Sequence, residues 1–235
     1  MERRWLFLVV MCTLAWCTVG SADTVTNLHM GDSVDLADYV NAPGMGILVG
    51  DKLFRDFTYL TTDSTGLTNS LLPASSIHLG PITGMVGFGL QLSAPFFTAQ
   101  DVQKDFLLSY SVTISNAPML ITDVHMDYNG SYVGNGFSTV TESVFDAGGI
   151  GGNLLGQIDV HNPPPALSTN LVLNTPQSKL FIEKDIQLLS FSSSDIATIS
   201  FIDQTFSQVA VPEPSSMMLV ASGLAGLWLW RRRRA

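Results

Sequence analysis

Glu183 and Asp185 stand two apart in a run of strand-forming residues, which puts both carboxylates on one face of a strand. Paired carboxylates are the machinery of glycoside hydrolysis, one serving as acid and the other as base or nucleophile. The same two charges are also explained as surface pairs with Lys179 or Lys184, and that is the reading taken here. Asp123, Asp127 and Asn129, followed by Gly130, offer the hard oxygen ligands found in the middle of a calcium loop. The remaining loop ligands and the terminal glutamate do not follow at the required spacing, so Asn129-Gly130 is read as a turn and no metal is expected. Asp32, Asp35 and Asp38 could converge on a cation, or form a solvated acidic face or a helix start; the second is the expectation.

Other chemistries lack their residues. No G-x-S-x-G elbow, H-E-x-x-H pair or P-loop is present, and the glycine run 148–152 has no lysine to accompany it. His29, His78, His125 and His161 are dispersed and read as surface or edge residues, with a spatial Ser-His-Asp triad the alternative. No cofactor and no enzymatic activity are expected. Asn129-Gly130-Ser131 has the form of a glycosylation sequon and is left as a turn.

The two chain ends carry more information. Residues 217–230 are uncharged and apolar, and with Ser215 and Ser216 they would span about 21–24 Å as a helix. That is short of a hydrocarbon core of about 30 Å, but thinning and snorkelling arginines absorb the difference. Arg231, Arg232, Arg233 and Arg234 would hold their end in the cytoplasm and fix the orientation. Just before this run stand Val211-Pro212-Glu213-Pro214.

A Pro-Glu-Pro motif, a single short hydrophobic helix and a terminal arginine cluster, in that order, resemble the PEP-CTERM sorting signal of exosortase substrates in Gram-negative bacteria. The resemblance covers 210–235, with an apolar helix at 215–230. It implies recognition by a membrane-embedded exosortase, cleavage near the motif, a transient stay in the inner membrane, and release or transfer to the cell surface. It also implies a place alongside exopolysaccharide in a biofilm or extracellular matrix. A permanently anchored ectodomain whose tail is never cut is the alternative.

At the other end, basic Arg3 and Arg4 precede an apolar run from Trp5 to Val19, and Gly20-Ser21-Ala22 supplies small residues for signal peptidase. Residues 1–22 therefore read as a signal peptide cut between Ala22 and Asp23. Trp16 before Cys17 is too bulky for a lipoprotein box. Cys12 and Cys17 both fall in this segment, so the mature chain would have neither thiol nor disulfide. Between 23 and 211 lie five basic and eighteen acidic residues, a net charge of −13. Such a body repels phosphate backbones, so no nucleic-acid partner is expected. All four tryptophans lie in the terminal segments, leaving tyrosines such as Tyr128 and Tyr132 as the stacking residues of a carbohydrate-binding module.

Residues 23–209 read as one all-β domain, an antiparallel β-sandwich of jelly-roll type. Strands are expected at 53–60, 85–92, 107–115, 121–128, 138–145, 157–161, 179–189 and 197–208. Leu108, Tyr110, Val112 and Ile114 alternate with Ser109, Ser111, Thr113 and Ser115, which predicts one wet sheet face. Residues 101–108 could open as a helical turn before that strand. Turns are expected at Asn129-Gly130, Asn135-Gly136 and 148–152, and Asn162-Pro163-Pro164-Pro165 should mark a crossing between two sheets. The stretches from Gly50 to Tyr59, Asp105 to Val112 and Ile199 to Phe206 look like strands of a recurring β-sandwich ectodomain among PEP-CTERM proteins.

Overall fold

Apolar residues recur at every second position along most of the chain, and a period of two buries one side of a strand rather than a helix face. The computed structural model describes residues 23–65, 71–84, 87–115 and 118–211, together with Ser222, Arg231 and Arg232. The expected signal peptide, the Pro212-Glu213-Pro214 motif and most of the expected apolar helix lie outside the described residues. Among those described, no helix is long and apolar enough to cross a membrane.

Thirteen strands form among the described residues: β1 Thr24–Asn27, β2 Val34–Asp35, β3 Met45–Val49, β4 Lys52–Asp63, β5 His78–Gly84, β6 Gly87–Ala99 and β7 Gln103–Ile114, then β8 Met119–Val133, β9 Phe137–Phe145, β10 Leu154–Asn162, β11 Ser168–Gln177, β12 Lys179–Leu189 and β13 Ile196–Ala210. They make a seven-stranded sheet in the order β1-β3-β4-β7-β12-β9-β10 and a six-stranded sheet in the order β11-β8-β13-β6-β5-β2. Neighbours are antiparallel except β1 and β3. The inner faces share one core, in which Phe54, Phe57 and Tyr110 of the larger sheet meet Phe206 of the smaller. Phe57 stacks on Tyr110 at 5.5 Å between centroids, and Phe54 lies 6.0 Å from both Tyr110 and Phe206. Aromatic pairs at these spacings add about 0.5–1.5 kcal/mol each beyond the area they bury. The protein is thus a β-sandwich.

All eight expected strands overlap observed ones, β12 with its predicted limits. The triple proline falls between β10 of one sheet and β11 of the other, as its inability to extend a ladder implied. Four expectations are corrected. Asn129-Gly130 is not a turn but the interior of the 15-residue β8, and the chain reverses at 134–136, where Gly134 has φ of 64°. Residues 101–108 start no helix, because β7 is already extended from Gln103.

The serine face of β7 is only partly wet: Ser109 and Ser111 are each 2% exposed. Ser109 is covered by Thr58, whose Oγ1 lies 2.6 Å from its Oγ, and the Ser111 hydroxyl donates to Asp56 at 2.7 Å. Asp56 reaches there from a bulge in β4, where its φ is 59° and the register with β7 slips between Arg55 and Thr58. The extra residue turns both Phe54 and Phe57 inward, so the two-residue alternation of β4 is broken there. Finally, β1, β2, β3, β5 and β11 were not foreseen. β5 holds Pro81, opposite Leu90 of β6, and on its other side β2 pairs only with His78 and Leu79, so Pro81 lies on the part of β5 that is an open edge, where proline is tolerated.

Candidate functional site

The strand that leads into the tail is the most embedded of the smaller sheet. β13 is flanked by β8 and β6 as far as Phe206 and by β8 alone beyond it, where its last pairs are Val209 with Leu120 and Ala210 with Met119. The ladder ends one residue later, where the Val211 N–H donates to the Pro118 carbonyl at 2.7 Å. Pro212, with no N–H, follows at once. The sandwich is therefore complete before Pro212, and the segment beyond contributes no strand among the described residues. Arg231 and Arg232 are helical and exposed; Pro212, Glu213, Pro214, Arg233 and Arg234 lie outside the described residues.

At the other end Ala22 lies outside the described residues, whereas Asp23 accepts from the Arg55 guanidinium at 2.6 Å and β1 starts at Thr24. The first residue after the expected cut is thus held against the edge of the larger sheet.

The two carboxylates that spacing put on one strand face are found there. Glu183 and Asp185 do point the same way on β12, but Glu183 sits in register with Ser109 and Ser143. Asp185 stands in register with Leu107 and Thr141, and its carboxyl group reaches Asp105 two residues along β7; burial, then the hydrogen bond and charge of Asp185, push Asp105 up to about 6. Asp105 lines a shallow groove of about 280 Å³ with Asp63, Lys104 and Gln187. Lys184, expected on the surface beside them, faces the opposite way and is fully buried.

Asp123, Asp127 and Asn129 share the outer face of β8 as a straight row rather than a loop, so they cannot wrap a cation. Among the described residues no cluster of three or more His, Cys, Asp and Glu suits a metal. Asp32, Asp35 and Asp38 separate as well. Asp32 accepts from the His29 N–H at 2.7 Å, Asp35 pairs with His78 at 2.7 Å, and Asp38 is the last residue of a short 3-10 turn, Leu36–Asp38.

Each histidine lies beside an aspartate: His29 with Asp32, His78 with Asp35, His125 with Asp123 and His161 with Asp159. His125 also lies 3.4 Å from the Ser207 hydroxyl, but through the same Nε2 that faces Asp123 at 2.6 Å. A catalytic triad needs the two ring nitrogens to serve the two partners separately, so this trio is not one. Tyr128 is 3% exposed, its hydroxyl aimed at the Ser138 carbonyl at 3.4 Å, and cannot stack on a sugar; Tyr132, 43% exposed, could.

Sequence reasoning missed the most unusual side chains, two lysines between the sheets. Lys184 of β12 contacts Glu142 of β9, Gln204 of β13 and the Met126 sulfur at 3.4 Å, with Lys184, Glu142 and Gln204 all at 0% exposure. Burial pushes the Glu142 carboxyl up and the Lys184 amine down, each opposed by the other's charge. Lys52 of β4, also fully buried, contacts Gln208 of β13 and donates to Asp51 at 2.6 Å, while the Gln208 amide donates to Asp51 at 2.7 Å. The Phe88 ring lies under Lys52 at 5.8 Å. A signal for the first cluster was present: Glu142, Lys184 and Gln204 each occupy the inward position between two buried apolar residues, Val140 and Val144, Ile182 and Ile186, Ile202 and Phe206.

No curated protein matches the chain. Among solved structures it is similar to the enzymatically active domain of tailspike protein 4 from bacteriophage CBA120, at 12% identity over 68% of this chain and 20% of that one, with a TM-score of 0.28. It is also similar to a glycosylation-associated protein complex from Streptococcus agalactiae, at 9% identity over 63% of this chain and 26% of that one, again with a TM-score of 0.28. The chain spans about a fifth to a quarter of the length of these two. A family model for the PEP-CTERM protein-sorting motif matches residues 210–234, starting at the last residue of β13. The chain thus carries a PEP-CTERM sorting signal behind a finished β-sandwich, as an exported, membrane-transiting protein whose processing partner is an exosortase.

Proposed function

We propose that this is a non-enzymatic surface or matrix protein: a β-sandwich made as a precursor, passed through the inner membrane, held there by its tail, and cut from it near Pro212-Glu213-Pro214. The observation that carries this reading is the placement of the sorting signal after a closed fold. Since the ladder ends at Val211, removal of everything beyond the motif would leave all thirteen described strands in place. In the same reading signal peptidase cuts between Ala22 and Asp23, residues 215–230 form the membrane-spanning helix, and Arg231–Arg234 stay in the cytoplasm of a Gram-negative cell. The two cuts would leave an acidic body without cysteine, suited to life outside the cell beside exopolysaccharide in a biofilm.

The test is the mass of the protein recovered separately from the medium and the membranes of its host, beside a Glu213→Ala variant. The expected wild-type product lacks the first twenty-two residues and everything beyond the motif, with the variant retained in membranes. A released wild-type protein that keeps its whole tail, or an intact tail in every fraction, refutes processing. A processed protein that fails to co-purify with the extracellular polysaccharide keeps the sorting reading and removes the matrix one.

A further inference from the structure

We propose that Lys184 and Gln204 become joined by an autocatalytic isopeptide bond, with Glu142 as the acid and base that drives it, so that the two sheets are stapled covalently between β12 and β13.

The geometry has the three parts such a reaction requires. The nucleophile is Lys184, whose Nζ is in direct contact with the side-chain oxygen of Gln204 and therefore beside its carbonyl carbon. The electrophile is a carboxamide held in one orientation, because the Gln204 NH2 donates to the His125 carbonyl at 2.9 Å and this turns its oxygen towards Lys184. The proton carrier is Glu142, whose Oε2 touches the same Nζ while its Oε1 has no hydrogen-bond partner. All three residues are at 0% exposure in an apolar setting built from Val140, Val144, Ile182 and Ile186.

Burial favours the reactive protonation state. An ammonium ion has no lone pair with which to attack, and a carboxylate has no proton to give. Taking both out of water favours transfer of one proton from Lys184 to Glu142, and the directions of the two shifts agree. The neutral amine then attacks the Gln204 carbonyl carbon while the Glu142 acid hydrogen-bonds to its oxygen. In the tetrahedral adduct the carboxyl group takes up a proton from the new C–N centre and hands one to the departing nitrogen. The C–N bond of the carboxamide breaks, ammonia leaves, and a secondary amide remains between Lys184 and Gln204. Of the protons that began on the ammonium ion, one stays on Glu142. The product pair is neutral, so the buried charge disappears with the reaction. Holding amine and carbonyl in contact replaces a bimolecular encounter with an intramolecular one, so the entropy of bringing them together is already spent on folding.

The second cluster marks the contrast. Asp51 accepts from Lys52 on one oxygen and from the Gln208 amide on the other, so neither of its oxygens is left free to serve a carbonyl, and its side chain keeps a contact with water that Glu142 lacks. Because Cys12 and Cys17 both precede Asp23, no disulfide can staple the sandwich, and an amide is the covalent link available to it.

The test is peptide mapping of the full chain extracted in detergent, digested with a protease that cleaves before aspartate. Lys184 then lies in the peptide 159–184 and Gln204 in the peptide beginning at Asp203. The expected result is a branched species joining the two, lighter than their sum by one ammonia, which returns to two linear peptides in Glu142→Gln and in Gln204→Leu. Linear peptides of unmodified mass from the wild type overturn the proposal whether or not the variants fold. A branched species joining 159–184 to the peptide 127–145, lighter by one water, would place the bond on Glu142 instead and overturn the assignment to Gln204. A bond that persists in folded Glu142→Gln would overturn the role given to the carboxyl group.

Discussion

Replacing Asp51 with asparagine should destabilise the sandwich far more than replacing Lys52 with methionine. The Lys52 side chain is fully buried and that of Asp51 is 10% exposed, so the pair is asymmetric towards water. Asp51→Asn keeps the size of the side chain but leaves the lysine cation buried beside neutral dipoles. It also presents a second NH2 group to a lysine and a glutamine amide that both donate there. Stranding one member of a buried pair costs about 3–5 kcal/mol. Because asparagine keeps one acceptor oxygen, about 3 kcal/mol is expected. For a body of this size each kcal/mol moves the melting temperature by about 2–4 °C, giving a fall of about 6–12 °C. Lys52→Met removes the charge itself, fills the same slot against Phe88, and leaves Asp51 near water with its Gln208 hydrogen bond; about 1 kcal/mol is expected. With no cation left to strand, the double variant should be close to Lys52→Met alone. The assay is thermal and urea unfolding followed by far-UV circular dichroism. Equal losses for the two single variants, summing in the double, would refute the view of this cluster as a dehydrated charge pair.

Three further outcomes follow from the same geometry. Gly89→Ala should prevent folding, since its Cβ would fall 1.7 Å from the Gln204 backbone oxygen, which cannot swing away; Gly80→Ala, meeting only the Asp32 oxygen at 3.7 Å, should fold, and limited proteolysis separates the two. Asp105 keeps its proton to about 6 when folded against 3.8 as an ordinary carboxyl group, so the folded state binds more protons within that window. Stability should therefore fall as pH rises through it, and Asp105→Asn should raise the melting temperature at pH 7.5 but not at pH 3.5; an equal gain at both would exclude the Asp105–Asp185 repulsion as its cause. Tyr128→Ala should cost about 3–5 kcal/mol and Tyr132→Ala less than about 1 kcal/mol, as read from urea midpoints, because only the first empties a packed site.

Local pattern carried a good deal of this protein. The alternation in 179–189 and 197–208 needs only the two-residue period of a strand, and it marked β12 and β13 before any partner was known. The proline triplet marked the change of sheet because proline cannot extend a ladder. The order of Pro-Glu-Pro, apolar run and arginines marked the sorting signal, since it depends on the linear chain and not on its folding. Tertiary structure decided the rest. Asn129-Gly130 has the dipeptide of a turn, yet β13 pairs with Gly130 on one side and the Asn162 side-chain amide donates to the Gly130 carbonyl at 2.9 Å, so the dipeptide stays extended. Tyr128 looked available and is enclosed; Asp185 shares a strand face with Glu183, but its carboxyl interaction is with Asp105 on the neighbouring strand.

The buried clusters show the division most clearly. A lone charge among apolar neighbours, as at Lys184 between Ile182 and Ile186, could be read along the chain as a residue on the wrong face. That it meets Glu142, forty-two positions away in β9, and Gln204 in the opposite sheet depends on strand register and on which faces pack together. Those are properties of the assembled sandwich, because spacing along one strand fixes the side to which a residue points but not what it finds there.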